Sequence, residues 1–293
     1  MITVVPKPLA LNPFQLFRLY TSNCLSPSLI SPVRVNLIQK RRRFRIQASS
    51  LVLPLLPFPI DQVLVPSEVK TLHLYEARYL ALLEESLFVK KKLFVHFVLD
   101  PIIVSDTSAE ASFAARYGCL VKIDKVEQLE VGALVLIRGV GRVKVLKFKQ
   151  EKPYLTGVVT PLQDNVSLEM IETNSKVLEL KEALHNLNRL EIKLKVPQEA
   201  LLQTQTANSL IWAEKALDLE CDDAFIPPVA ERVSFSALQA LSGGTKSEWL
   251  KLQKEKVRAM DIKDTLERLN KSMELVGNNI SIVAAKLAIQ SVL

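Results

Sequence analysis

The spacing of the hydrophobic residues changes once along the chain, from the period of strands to the period of helices. Between about 51 and 163, short apolar runs such as 93–99 and alternating segments predict β-strands. Gly139 and Gly141 predict a bend or bulge within one strand. One helix is predicted over 75–87, where the apolar residues recur at helical spacing. Short strands at these intervals predict a compact sheet or a partly open barrel.

The second half of the chain has helical periodicity. Its last segment, 262–287, carries apolar residues spaced alternately by four and three, which is a heptad pattern. Asp264, three residues before Glu267, predicts an N-terminal cap for this helix. We expect the helix to pack within its own domain, and an oligomer formed through the 262–287 helix is the alternative. The shorter helical segments cover 177–187, 201–219 and 229–242.

These patterns predict an α+β fold with two subdomains and a separate leader. The β-rich subdomain is expected at 49–165, and the helical subdomain, which ends in the long helix, at 166–293. Residues 1–48 contain no Asp or Glu and are rich in Ser, Pro and Arg, as is typical of a disordered transit peptide. We therefore expect import into the chloroplast, or alternatively the mitochondrion.

The basic run at 40–45 has two further interpretations, a nuclear localisation patch and a twin-arginine signal. Eight of the 38 Lys and Arg residues precede the first acidic residue, Asp61, so that the remaining 30 nearly balance 31 Asp and Glu. A domain that binds phosphate backbones usually has a positive field of its own. The charge therefore disfavours nucleic acid as a partner. No apolar run approaches the roughly 18 residues that a transmembrane helix needs.

Motifs for catalysis, nucleotide binding and metal binding do not occur in the sequence. The segment 243–247 (GGTKS) comes nearest to a phosphate-binding loop, but a Thr separates its glycines from the lysine, and we interpret it as a helix-terminating loop. His96 lies in an apolar run and is expected to be structural, with its hydrogen bonds satisfied. Cys119 and Cys221 lack metal-ligand spacing and are expected to be reduced thiols. We expect no enzymatic activity, cofactor or metal.

Two stretches contain an ordered set of short motifs. The first reads LPLLPFP at 53–59 and LHLYEARY at 72–79. The second reads GCLVKI at 118–123, VGRVKV at 140–145 and KPYL at 152–155. In this order the motifs resemble the N-terminal, substrate-binding domain of Lon proteases. The resemblance is clear over about 51–163 and looser over the helical remainder.

The resemblance implies a PUA-like β pseudobarrel with one inserted helix, followed by a helical bundle. In the full protease this domain helps to bind substrate polypeptides, whereas separate domains hydrolyse ATP and cut peptides. The resemblance extends to the binding part alone, so we expect a stand-alone plant organellar member. Its expected role is that of a non-catalytic polypeptide-binding or adaptor module in protein quality control, with unfolded or extended polypeptides and a protease or chaperone as partners.

Two other functions stay open at this point. PUA-like folds also bind RNA, and the local candidates for such binding are Lys144, Lys147, Lys149 and Lys152. A cryptic peptidase would need a Ser and a Lys within hydrogen-bonding distance. No local sequence feature singles out such a pair.

The motif residues suggest one peptide-binding site. Prolines at 54, 57 and 59 lack the N–H that a central strand donates, so this strand is expected to be bent or at an edge. An edge strand can accept an extended peptide by β-augmentation. Phe58, Tyr75 and Tyr79 could line a groove beside it, although all three could instead belong to the core. Glu76 and Arg78 are expected to form a structural ion pair or a helix cap.

Overall fold

The structure, a computed structural model, describes residues 49–102, 112–165, 170–194, 204–217 and 219–291. The expected transit peptide, residues 1–48, lies outside this part of the chain. The strands are β1 (Leu51–Phe58), β2 (Val69–Leu74), β3 (Leu93–Ile102), β4 (Ser112–Gln128), β5 (Ala133–Gln150) and β6 (Thr156–Pro161). The helices are α1 (Ala77–Phe88), α2 (Met170–Leu194), α3 (Gln205–Glu214), α4 (Val229–Phe235), α5 (Lys246–Asp261) and α6 (Thr265–Gln290).

The described strands form one six-stranded sheet in the order β2-β5-β4-β3-β1-β6. Because β6 also pairs with β5, five of the strands close into a barrel. Alternate residues at the start of β5, Ala133, Val135 and Ile137, are buried in a hydrophobic cluster shared with β2 and α1, and a second cluster contains residues of all five barrel strands. The predicted mixed α+β class, with one helix inserted among the strands, is confirmed. The PUA-like name for the barrel stays a prediction.

The predicted bulge in β5 is confirmed. Leu120 pairs with Gly141 and the next residue of β4 with Gly139, so that one residue of β5 is left without a partner in the ladder. A Cβ on Gly139 would lie 2.3 Å from the carbonyl oxygen of Val65, and one on Gly141 would lie 2.7 Å from that of Phe225. These glycines therefore let two other segments of the chain approach the barrel closely.

The strand β1 was expected to be bent or at an edge, and the edge alternative is wrong. Residues 51–54 pair with β6 in antiparallel fashion, and residues 55–58 pair with β3 in parallel fashion. The strand thus changes partner halfway along and closes the barrel, which leaves no continuous free edge for β-augmentation. Among the described strands, β2 has a single partner, β5.

The long helix α6 packs against the chain's own core, as expected. Its buried residues Leu269, Val276 and Val283 share a hydrophobic cluster with α2, α3 and α4. Asp264 is the N-cap and accepts the N–H of Glu267 at 2.8 Å, which confirms the predicted cap. The helix begins at Thr265, whereas residue 262, the first position of the predicted segment, is the C-cap of α5. An oligomer through this helix stays a prediction, and the face with the heptad pattern is already occupied.

The segment between 229 and 261 differs from the prediction. The helix predicted over 229–242 ends at Phe235, and α5 was not predicted at all. Thr245, within the GGTKS segment, is the N-cap of α5 and forms a reciprocal capping box with Glu248. The glycines of this segment therefore precede a helix. A hydrophobic cluster joins Val63, Val65 and Val98 to residues of α4 and α5. The boundary between subdomains at 165 stays a prediction.

Two arginines and two carboxylates meet where the barrel packs on the helices. Arg142 of β5 binds Asp164, and its Nη2 donates to Glu231 of α4 at 2.9 Å. Arg268 of α6 binds the same Asp164. The two arginine side chains are 0% and 1% exposed, so both charges are withdrawn from water and neutralised within this cluster, which we call the buried ion cluster.

The buried ion cluster also holds the end of α5. Arg142 Nη1 donates to the carbonyl oxygens of Met260 and Ile262 at 3.2 and 2.6 Å, and Arg268 Nη1 donates to that of Ile262 at 2.9 Å. Carbonyls in the last turn of a helix have no partner within the helix. The cluster therefore supplies their hydrogen bonds and fixes α5 to the barrel and to α6.

One buried histidine has no hydrogen-bond partner among the described residues. His96 of β3 is fully buried, and no described group is hydrogen-bonded to either ring nitrogen. Its ring stacks on Phe58 at 3.9 Å, and the Nζ of Lys70 lies 4.7 Å from the centre of the Phe58 ring. Burial, followed by the charges of Lys70 and Lys256, holds the pKa of His96 well below its usual value. His96 is structural, as expected, but its hydrogen bonds are not satisfied.

Arg142→Met is expected to lower the free energy of unfolding by about 3–5 kcal/mol, because it leaves Glu231 buried without its cation. Arg258→Met is the matched control, since Arg258 forms an exposed ion pair with Glu255 and should cost under about 1 kcal/mol. Urea unfolding at pH 7 measures both values. Equal effects of the two substitutions would contradict a structural role for the cluster.

The low pKa of His96 makes stability depend on pH. The unfolded chain takes up a proton at this residue near pH 6.5, while the folded protein keeps the ring neutral to lower pH. The free energy of unfolding therefore carries no penalty from His96 above about pH 6.5. Below that pH it falls by up to about 1.4 kcal/mol per pH unit.

His96→Phe should remove this contribution, so that urea unfolding at pH 7, 6 and 5 shows a smaller loss of stability in the variant than in the wild type. His185→Phe replaces an exposed histidine and is expected to retain the wild-type dependence. Parallel pH profiles for wild type and His96→Phe would show that the buried ring does not titrate as described.

Candidate peptide-binding groove

The helices α5 and α6 form two walls of an open groove of about 800 Å³. Residues 262–264 join the two helices at one end, and the segment 239–245 forms the third wall. The volume falls within the range of ligand sites in proteins, roughly 300–1,000 Å³. Neither α5 nor α6 was identified from the sequence as part of a ligand-binding site.

The lining of the groove combines an apolar base with a polar border. Trp249, at the first turn of α5, is 38% exposed, and it shares the lining with four aliphatic side chains. These four are Leu241, Leu252, Leu275 and Ile282. Amide side chains are contributed by Gln239, Asn278 and Asn279. Such a surface can bury apolar side chains and hydrogen-bond a peptide backbone.

Charges of both signs surround the groove in equal number. The acidic residues are Glu248, Glu255 and Glu274, and the basic residues are Lys251, Arg258 and Lys271. Such a balanced border does not select a ligand by net charge.

An ion pair joins the two walls away from the 262–264 connection. Lys286 of α6 lies 3.2 Å from the carboxylate of Glu248 at the start of α5. The same carboxylate accepts the N–H of Thr245 at 2.6 Å, and this bond, with Lys286, holds the pKa of Glu248 below its usual value. Glu248 thus places a negative charge at the amino end of α5, where a phosphate-binding loop would hold its phosphate, and this charge disfavours a second anion there.

The barrel holds α5 from its other side. Lys256 Nζ lies 2.5 Å from Glu68, which precedes β2, and the hydroxyl of Tyr117 donates to Asp261 at 2.9 Å. Together with the buried ion cluster, these contacts fix α5 at its middle and at its carboxyl end. The groove therefore has one rigid wall fastened to the barrel, and it is formed before a ligand arrives.

The structure places the three aromatic residues predicted to bind peptide in different surroundings. Phe58 and Tyr79 are half-buried and pack against the same hydrophobic cluster beneath α1. Tyr75 is 60% exposed and lies beside His73, with ring centres 5.5 Å apart. None of the three lines the α5–α6 groove. A peptide site at these aromatics stays a prediction.

Other motif residues have structural roles. Arg78 Nε donates to Glu76 at 2.7 Å, so the expected ion pair is present, whereas Glu76 makes no side-chain cap. Tyr154 donates to Glu85 of α1, and burial followed by this contact raises the pKa of Tyr154 to about 12. Arg142, in the VGRVKV motif, is the centre of the buried ion cluster.

Trp249 and its neighbours were missed because α5 was missed. Thr245 and Glu248 have the spacing of a capping box, and this pattern predicts the start of a helix. Among the residues that the structure describes, no three metal-ligating side chains come together. None of the described helices is long and apolar enough to cross a membrane.

The solved structures that are similar to this chain include two Lon N-terminal domains. The N-terminal domain of Lon protease from the Mycobacterium avium complex is 16% identical, with a TM-score of 0.44, and the match covers 78% of this chain and 98% of that one. The Lon N-terminal domain protein from Xanthomonas campestris is 19% identical, with a TM-score of 0.40, covering 76% and 98%. No curated protein sequence matches.

The family comparison covers most of the chain. The ATP-dependent protease La (LON) substrate-binding domain matches residues 52–288, a span that runs from β1 into α6 and includes both walls of the groove. This chain therefore belongs to the family of the ATP-dependent protease La (LON) substrate-binding domain.

Proposed function

We propose that the protein binds extended or unfolded polypeptides in the α5–α6 groove and presents them to a protease or chaperone. Its family supports a polypeptide-binding module. The observation that carries the proposal is the groove itself, which places a partly exposed tryptophan among aliphatic and amide side chains.

The chemistry of the groove favours an unfolded chain over a folded surface. Unfolded segments expose apolar side chains and unpaired backbone N–H and C=O groups together. The apolar base of the groove can take the side chains, and Gln239, Asn278 and Asn279 can take the backbone groups. The balanced charges allow many different sequences to bind, which suits a module that recognises the unfolded state.

The place of action in this proposal is an organelle, with residues 1–48 as the import signal. The acid-free composition of this segment supports chloroplast import, and mitochondrial import is the alternative. A fusion of residues 1–48 to a fluorescent protein should enter chloroplasts and lose the leader. Cytosolic or nuclear fluorescence would contradict this part of the proposal.

A second candidate function is RNA binding, and one observation favours it. Lys144, Lys147, Lys149 and Lys152 are all exposed at the end of β5 and just beyond it. Leu146 and Phe148, between them, are 56% and 42% exposed. Lysines interleaved with an exposed aromatic ring on a strand can hold a single-stranded nucleic acid by charge and stacking.

Trp249→Ala is expected to weaken the binding of a fluorescent, reduced and alkylated polypeptide about tenfold, since a central aromatic contact is worth more than about 1 kcal/mol. Fluorescence anisotropy measures the dissociation constant. Phe88→Ala removes an aromatic ring that is 82% exposed outside the groove, and it should leave the affinity unchanged. Equal affinities of wild type and Trp249→Ala would remove the groove from the proposal.

The RNA function has its own test. The pair Lys147→Glu and Lys149→Glu should abolish binding to a single-stranded RNA at low salt while leaving polypeptide binding intact. Lys90→Glu with Lys215→Glu makes the same change of charge elsewhere on the chain and serves as the control. If wild type and both double variants bind the RNA equally, binding is nonspecific and the second candidate fails.

A further inference from the structure

One buried arginine has no anion beside it among the residues that the structure describes. Arg232 of α4 is 4% exposed, and its Nε and Nη1 are buried without a hydrogen-bond partner among the described residues. Burial lowers the pKa of Arg232, and no neighbouring carboxylate offsets this effect. A guanidinium nevertheless keeps its charge in proteins, and a buried charge without a counterion costs several kcal/mol by order of magnitude.

Two carboxylates that could be considered as partners, the one that precedes Arg232 in the sequence and the one beside Arg138, bind other arginines. Glu231, the preceding residue, binds Arg142 in the buried ion cluster. Asp124 lies 3.0 Å from Arg138, the other arginine in this part of the structure. The charges of Arg138 and Asp124 cancel, so within the described part of the chain the group carries one positive charge that no carboxylate neutralises, on Arg232.

A tryptophan connects the two arginines and brings them to the surface. The guanidinium carbons of Arg138 and Arg232 lie 5.6 and 5.9 Å from the centre of the Trp212 ring. Trp212 is half-buried, and its neighbour Ile211 is 38% exposed. The group of Arg138, Trp212 and Arg232, which we call the Trp212 cluster, therefore lies directly beneath the protein surface.

The side chains of the Trp212 cluster determine which kind of ligand it can bind. A planar guanidinium with free N–H donors fits a carboxylate, whose two oxygens accept a pair of parallel hydrogen bonds. One carboxylate carries one negative charge, which equals the unneutralised charge of the cluster. The indole offers an apolar surface for the part of the ligand that follows the carboxylate.

We propose that the Trp212 cluster is a binding site for a single carboxylate, with Arg232 as its main contact. The carboxylate belongs to a free organic acid or to the carboxyl terminus of a polypeptide, and the two share the same chemistry at Arg232. This site is separate from the α5–α6 groove, whose lining contains none of the three residues, and it does not depend on the polypeptide function.

Tryptophan fluorescence tests the site directly, because the chain has two tryptophans. In a Trp249→Phe protein, the emission reports Trp212 alone. Acetate, added at constant ionic strength against chloride, should change this emission in a saturable way. Adding Arg232→Met should abolish the change, and Arg232→Lys should weaken binding about tenfold or more, because an ammonium lacks the planar pair of donors.

Two short peptides distinguish the sources of the carboxylate. N-acetyl-Ala-Ala with a free carboxyl terminus should bind more tightly than acetate if the site reads polypeptide ends, and equally or less tightly if it takes small acids. The same peptide with an amidated terminus should not bind in either case. Binding of the amide as strongly as the acid would overturn the proposal.

Thermal unfolding provides a second readout. Acetate should raise the Tm of the Trp249→Phe protein but not that of the version that also carries Arg232→Met. Without acetate, removal of the uncompensated charge should leave the Tm equal or higher. The proposal is wrong if acetate leaves Trp212 emission unchanged, or if it acts equally with and without Arg232.

Discussion

The structure depends on the neutralisation of two buried arginines at the place where strands and helices meet. Arg142 comes from the barrel and Arg268 from the last helix, and Asp164 binds both. Burial alone would raise the pKa of Asp164, but its bonds to Arg268 and the charge of Arg142 outweigh this effect and lower the pKa. Each buried charge would destabilise the fold if its partners were absent. The cluster therefore favours the one orientation of the helices on the barrel in which all four charges meet.

This orientation determines the shape of the proposed binding surface. The cluster fixes the carboxyl end of α5, and Lys256 fixes its middle through Glu68. The helix α6 leaves the same point and packs along α2. The space between α5 and α6 therefore results from two helices that are each attached to a different part of the molecule. A groove of this origin is preorganised, which lowers the entropic cost of binding.

Local patterns in the sequence predicted the features that depend on neighbouring residues. The strand-to-helix change, the bulge at Gly139 and the cap at Asp264 all follow from short-range rules, and the structure confirms them. The partners of β1 and the buried ion cluster could not be predicted in this way, because Arg142 bonds to residues 22 to 120 positions away. The helix α5 was missed since its apolar residues are divided between the barrel and the groove. Because α5 forms one wall of the groove, the candidate site could not be predicted without this helix.

Nuclear magnetic resonance of the indole N–H groups tests directly whether polypeptides bind between α5 and α6. The chain has two tryptophans, so the signal of Trp249 can be assigned with a single substitution. On addition of an unlabelled unfolded polypeptide, the Trp249 signal should shift or broaden in proportion to the fraction bound. A Trp249 signal that stays unchanged while the polypeptide is bound would place the binding surface elsewhere and contradict binding in the α5–α6 groove.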